Sequence, residues 1–234
     1  MLQEHRFAYP EALFQALSEH CLALMGESAT RHPAQTILLS GGNTPRPLYT
    51  TLAAAALPWS TIQVALVDER WVPPEHSASN EGMIRKAMQT AVARGLQITG
   101  MMQDSPTAIE GLEQVNMAYG SLPRPWTFAL LGMGQDGHTA SLFPDAQGLT
   151  HALTTGETCA ALTARPSRIT GDFLDRMSLG LNALLSTRQL FLLITGADKW
   201  QVYQQALAST TPEATPVSYL LQQTQVPIDI YWCP

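Results

Sequence analysis

Four short runs of β-forming apolar residues recur along the chain with helical patterns between them: Thr36-Ile37-Leu38-Leu39, Ile62-Gln63-Val64-Ala65-Leu66-Val67, Thr127-Phe128-Ala129-Leu130-Leu131 and Leu190-Phe191-Leu192-Leu193-Ile194. Near-continuous apolarity, rather than alternation, marks strands covered on both faces, and strands that alternate with helices pair in parallel. The expected fold class is α/β, a mostly parallel open sheet flanked by helices in the Rossmann-like manner. Side chains suited to helix N-caps stand ahead of three of the helical patterns: Thr44 before Pro45, Ser79 before Asn80 and Ser105 before Pro106. Two weaker runs, Leu96-Gln97-Ile98 and Ile228-Asp229-Ile230-Tyr231-Trp232, are expected as edge strands. The Pro-rich stretches Pro73-Pro74 and Leu122-Pro123-Arg124-Pro125 read as loops. No linker, repeat or low-complexity tract divides the 234 residues, so one domain spanning 1–234 is expected.

The position of the polar residues narrows the function. The four strong runs lead into Ser40-Gly41-Gly42-Asn43-Thr44, Asp68-Glu69-Arg70, Gly132-Met133-Gly134-Gln135-Asp136-Gly137-His138 and Thr195-Gly196-Ala197-Asp198-Lys199. If the strands are parallel, all four segments fall on the carboxyl edge of the sheet, where open α/β sheets bind ligands.

Composition excludes several classes of partner. The net charge is −6, and Lys86 and Lys199 are the only lysines, so no broad polyanion-binding face is expected and nucleic acid is not a partner. The N-terminal stretch MLQEHRFAYPEALFQALSEHCLALM carries charges throughout, unlike a secretory leader, and no apolar run reaches membrane-spanning length. Cys21, Cys159 and Cys233 are odd in number, with no metal-ligand spacing. A soluble, cytoplasmic, metal-free protein without a membrane partner is the expectation.

Gly132, Gly134 and Gly137 match the letters of a dinucleotide fingerprint, but Pro144 limits any following helix to about two turns, and the nearest acidic candidate, Glu157, stands before the next apolar run (Cys159 to Leu162), not after it. The favoured reading is that the glycines let backbone approach a ligand while His138, beside Asp136, faces it as an acid–base group. Gly41 and Gly42 permit close approach, and the helix expected from Pro45 makes an anion pocket with Asn43 and Thr44. A triphosphate P-loop is excluded by the absence of a Gly-Lys-Ser/Thr sequence. Arg70, oriented by a neighbouring carboxylate such as Asp68, can fork onto a phosphate, and Lys199 opens the helix after the last strong strand.

Four segments in this order, LSGGNTPRPLYTTLA (39–53), VDERWVPPEHSASNEGMIRKAM (67–88), LLGMGQDGHTASLFP (130–144) and RMSLGLNALLSTRQLFLLITGADK (176–199), closely resemble the 6-phosphogluconolactonase family. The related deaminases carry Met-Asp-Glu-Tyr where this chain has Val-Asp-Glu-Arg-Trp, and continue DGH differently. The resemblance implies hydrolysis of a sugar phosphate lactone, 6-phospho-D-glucono-1,5-lactone, without metal or organic cofactor; separately, a monomer is expected. In that reading His138 takes a proton from water and returns it to the ring oxygen, glycine-loop N–H groups such as those of Gly134 and Gly137 stabilise the oxyanion, and Asp136 either orients the imidazole or binds sugar hydroxyls. Register with the family pattern favours Arg176 over Arg168 as the anion-binding arginine, with residues 168–175 an insertion near the mouth of the site. A related isomerase or deaminase, and a non-catalytic sugar-phosphate sensor, stay open as alternatives.

Overall fold

The computed structural model describes residues 1–124 and 126–234; Pro125, in the second Pro-rich stretch, lies outside the described residues. In chain order the elements are β1 (Leu2–Arg6), α1 (Pro10–Arg31), β2 (Gln35–Leu39), α2 (Arg46–Ala54), β3 (Ile62–Leu66), β4 (Asp68–Arg70), α3 (Asn80–Ala87), α4 (Gln89–Val92), β5 (Gln97–Thr99) and α5 (Ala108–Gly120). There follow β6 (Trp126–Leu131), α6 (Leu149–Thr154), β7 (Cys159–Thr163), β8 (Asp175–Leu179), α7 (Leu181–Leu184), β9 (Leu190–Thr195), α8 (Ala197–Leu207), α9 (Val217–Gln222) and β10 (Ile228–Cys233).

Seven strands form a parallel sheet in the order β1-β10-β9-β6-β2-β3-β5, so the α/β expectation holds. From β2 the chain builds outward through β3 and β5, then returns to the other side of β2 with β6 and continues through β9 and β10. The order therefore reverses between β2 and β6, and a crevice opens at their carboxyl ends. Residues of β2 and β6 are buried along their whole length, as continuous apolar runs require.

A second, antiparallel sheet of three strands, β4-β8-β7, corrects one expectation. Asp68-Glu69-Arg70 is not a loop but strand β4, paired with β8 so that Asp68 faces Ser178 and Arg70 faces Arg176. Val67 is the pivot: its N–H donates to Leu39 in the large sheet at 3.0 Å, while its carbonyl accepts from Leu179 beside the small one at 2.9 Å.

Other boundaries also move. The N-terminal stretch divides into an edge strand and a helix, with Pro10 at the first helical position, where its missing N–H costs nothing. That edge strand covers β10, which lies inside the sheet rather than at its edge; β5 is an edge strand as expected. Ser79 caps α3 by accepting from Gly82 at 3.1 Å. Thr107 rather than Ser105 caps α5, and α2 begins after Pro45 with no side-chain cap from Thr44. No helix begins in the 132–144 segment, which runs as turns and single bridges.

Candidate active site

A cavity of about 370 Å³ opens at the β2/β6 reversal and is walled on one side by the small sheet. Of the residues singled out from sequence, Gly41, Gly42, Thr44, Asp68, Arg70, Gly134, His138, Arg176 and Lys199 line it. Asn43, Asp136 and Gly137 do not form its wall. Asp136 instead stands behind His138, its Oδ1 2.5 Å from Nδ1 and 3.2 Å from the His138 backbone N–H. Burial opposes charge on Asp136, but the hydrogen bond and charge of His138 outweigh it and hold the carboxyl below the usual carboxylate range. An ionised Asp136 keeps the hydrogen on Nδ1 and leaves Nε2 as the free imidazole nitrogen.

The glycines act differently from the sequence expectation. A Cβ on Gly134 would strike the His138 ring and the Asp136 carboxylate, so glycine is needed there for close approach. Its N–H donates to the His138 carbonyl at 3.0 Å, and that of Gly137 donates to Gly134 at 3.1 Å. Both donors are engaged in shaping the loop, which argues against their service as oxyanion donors. By contrast, among the described residues none of the N–H groups of Gly41, Gly42, Asn43 and Thr44 has a protein acceptor. Gly41 leaves no room for a side chain because Asn80 occupies that space.

Two arginines meet across β4 and β8. Arg70 donates through Nη1 to Ala78 O at 2.6 Å, and its buried Nε has no partner among the described residues. Arg176, 2% exposed, donates through Nε to Phe173 O at 2.7 Å and through Nη2 to Thr170 O at 2.8 Å. Like charges directly opposed on neighbouring strands repel. Burial and the Arg70 charge push Arg176 down to about 10, against the pull of Asp68 and Glu69, so it stays protonated at neutral pH. Lys199, in the first turn of α8, is lowered by burial, with the charge of Asp136 acting the other way. Arg168 is exposed and away from the cavity, whereas its neighbour Ile169 lines the mouth.

Sequence reasoning missed the groups that join these parts. The Phe143 ring lies 4.1 Å from the His138 ring, and its centroid is 5.4 Å from the Arg176 guanidinium, so one side chain stands beside both the imidazole and one of the two cations. It stands inside the SLFP segment with no signal beyond apolarity. Asn80, read only as a helix start, donates to the Asp68 carbonyl at 2.9 Å. Glu69, 0% exposed, accepts from the backbone of Arg70, Asn80 and Glu81 and from Ser79 Oγ, tying β4 to the start of α3. Burial pushes Glu69 up to about 7 against these four donors. Among the described residues no three His, Cys, Asp or Glu side chains converge as a metal site needs, and no helix is long and apolar enough to cross a membrane.

Residues 8–232 match the family model described as glucosamine-6-phosphate isomerases/6-phosphogluconolactonase. The 6-phosphogluconolactonase of Rhizobium meliloti is 31% identical over 230 residues, covering 98% of this chain and 98% of that protein. That of Pseudomonas putida is 31% identical over 98% of this chain and 92% of its own length. The crystal structure of a 6-phosphogluconolactonase from Shewanella baltica superposes with a TM-score of 0.94 at 32% identity, over 100% of this chain and 98% of that one.

Proposed function

The chain belongs to the glucosamine-6-phosphate isomerase/6-phosphogluconolactonase family, and from that premise we propose that it hydrolyses 6-phospho-D-glucono-1,5-lactone to 6-phosphogluconate, a step of the pentose phosphate pathway. The observation that carries the reading is that an imidazole backed by a carboxylate and a pair of opposed guanidinium groups face one cavity, with Phe143 between the imidazole and Arg176.

The chemistry follows from the free nitrogen. Nε2 of His138 takes a proton from water as the water oxygen bonds to the lactone carbonyl carbon, and Asp136 stabilises the imidazolium that forms. The carbonyl oxygen gains charge, and Lys199, which lines the same cavity as His138, is the cation assigned to it. Collapse breaks the bond to the ring oxygen, which receives the proton from Nε2 and leaves as a hydroxyl. The phosphate is assigned to Arg70 and Arg176, whose mutual repulsion a dianion relieves, with the unpaired N–H groups of residues 41–44 as further donors. These steps use side chains of this chain only, and the rate is expected to survive exhaustive chelation.

The working form is proposed to be one domain over 1–234, a cytoplasmic monomer whose partner is the small sugar phosphate. Supporting this are a core that joins residues from α1 to β10, free buried thiols at Cys21, Cys159 and Cys233, and the net charge of −6. Light scattering should give a mass near 25.5 kDa; twice that value rejects the monomer. The activity itself is tested by following proton release from freshly generated lactone, with spontaneous hydrolysis subtracted. No acceleration by the folded protein sinks the hydrolase reading.

A further inference from the structure

Between the imidazole and the Phe143 ring that packs on it, the chain makes a tight turn. Leu142 N–H donates to Thr139 O at 3.0 Å, so residues 139–142 reverse the chain and return Phe143 to the His138 ring. Ala140, the first central residue of this turn, has a φ of +48°, and Ser141, the second, has no positive φ. Positive φ at the first central position alone is the pattern of a II′ turn, where glycine is the usual occupant. An alanine there is strained and needs neighbours that hold it in place.

Those neighbours are visible. Thr139 Oγ1 donates to Gly132 O at 2.9 Å and fastens the stem of the turn to the end of β6. At its far side Ser141, fully buried, donates through Oγ to Asp68 Oδ2 at 2.7 Å, and its N–H reaches Ser178 Oγ at 3.3 Å. Asp68 and Ser178 face one another across β4 and β8. The turn is thus docked on a single rung of the small sheet, and Asp68, although it borders the cavity, has one carboxylate oxygen committed to the turn.

We infer that Ser141 is a positioning residue: anchored on Asp68, it holds Ala140 in its left-handed conformation and so aims the His138 imidazole into the cavity. The inference rests on the hydrolase reading for its kinetic consequence, but its structural content does not. Without the anchor, Ala140 relaxes toward negative φ, the turn opens, and Phe143 no longer fixes the ring.

The test compares Ser141→Ala with the double variant Ser141→Ala/Ala140→Gly. In the single variant kcat should fall about tenfold with KM within about twofold, because the phosphate contacts are untouched. Glycine adopts the left-handed turn without strain, so the double variant should recover at least threefold of that loss. The NMR signal of the His138 ring should be single and sharp in the native protein and shifted or broadened in Ser141→Ala. Should Ser141→Ala fail to fold, Ser141→Cys, with a thiol that is a weak donor, should show an intermediate loss of kcat. An unchanged kcat, a loss confined to KM, or a double variant no better than the single overturns the inference. A native protein that lacks lactonase activity would sink the hydrolase reading alone, since the ring signal still reports the aim of His138: altered by Ser141→Ala it upholds the inference, and unaltered it overturns it.

Discussion

The two sheets differ in how much charge they bury beside their apolar residues. In the parallel sheet, Phe128 and Leu130 of β6 and Phe191 and Leu192 of β9 are fully buried and apolar. In the small sheet the buried residues include Asp68 and Glu69 of β4 and Arg176 of β8. Apolar burial stabilises at roughly 25 cal/mol per Å² of surface removed from water, whereas a buried charge costs several kcal/mol unless it is paired and hydrogen-bonded. The parallel sheet therefore supplies stability and a rigid edge, and the small sheet holds charge at that edge. Its charges are tolerated because each has partners: Glu69 has four donors, and Arg176 has two carbonyls. Stability and ligand binding are thus expected to respond to substitutions in different sheets.

The sharpest break in that comparison is expected at the loop between them. His138→Ala should leave the fold intact and lower the catalysed rate by roughly 10²–10⁴, the usual worth of a positioned acid–base group. Undiminished hydrolysis by a folded His138→Ala protein would detach the chemistry from the β6 loop. Next, Phe128→Ala in the parallel sheet should cost about 3–5 kcal/mol in denaturant unfolding, as deletion of a buried aromatic ring does, with KM little changed while the protein stays folded. A loss below about 1 kcal/mol would show that the central strands are not where stability resides.

The small sheet is probed by its arginines. Arg176→Ala should lower kcat/KM about ten- to a hundredfold through lost charge-assisted hydrogen bonds, while Arg168→Ala, on an exposed turn, should stay within about twofold. The reverse ranking, measured side by side, contradicts the assignment of the anion site to the β4/β8 rung.

The smallest effect concerns pH. The Glu69 carboxyl is raised by burial from 4.5 to about 7, so between those values the native state holds a proton that the unfolded chain has lost. Its contribution to stability is full below pH 4.5 and is lost as pH rises through about 7. Glu69→Gln removes the titration, and the slope of unfolding free energy over that window should change by up to about 1.4 kcal/mol per pH unit. Superimposable slopes for the two proteins would mean that Glu69 stays ionised under its four donors.

Part of the site is legible in the order of the residues. His138, Gly134, Gly41, Arg70 and Lys199 share one cavity because each follows a strand of the same parallel sheet, and strand ends can be read from local apolarity. The engaged N–H groups of Gly134 and Gly137, the uncapped start of α2 and the role of Phe143 are not legible in that way. Each depends on which groups meet across loops, and the letters of a glycine-rich segment do not say where its N–H groups point.

The α/β class, the carboxyl-edge location of the chemistry and the preference for Arg176 can be read from the chain alone, because buried parallel strands, glycine turns and family register are carried by contiguous residues. Four features emerge only in three dimensions: DER is a strand, Arg70 faces Arg176, β10 lies inside the sheet and Ser141 docks on Asp68. Strand β4 is three charged residues, too few for a hydrophobic period to announce it, and β8 sets buried Met177 and Leu179 beside a buried arginine. Their pairing is specified by hydrogen bonds between segments far apart in the chain, which no local pattern encodes.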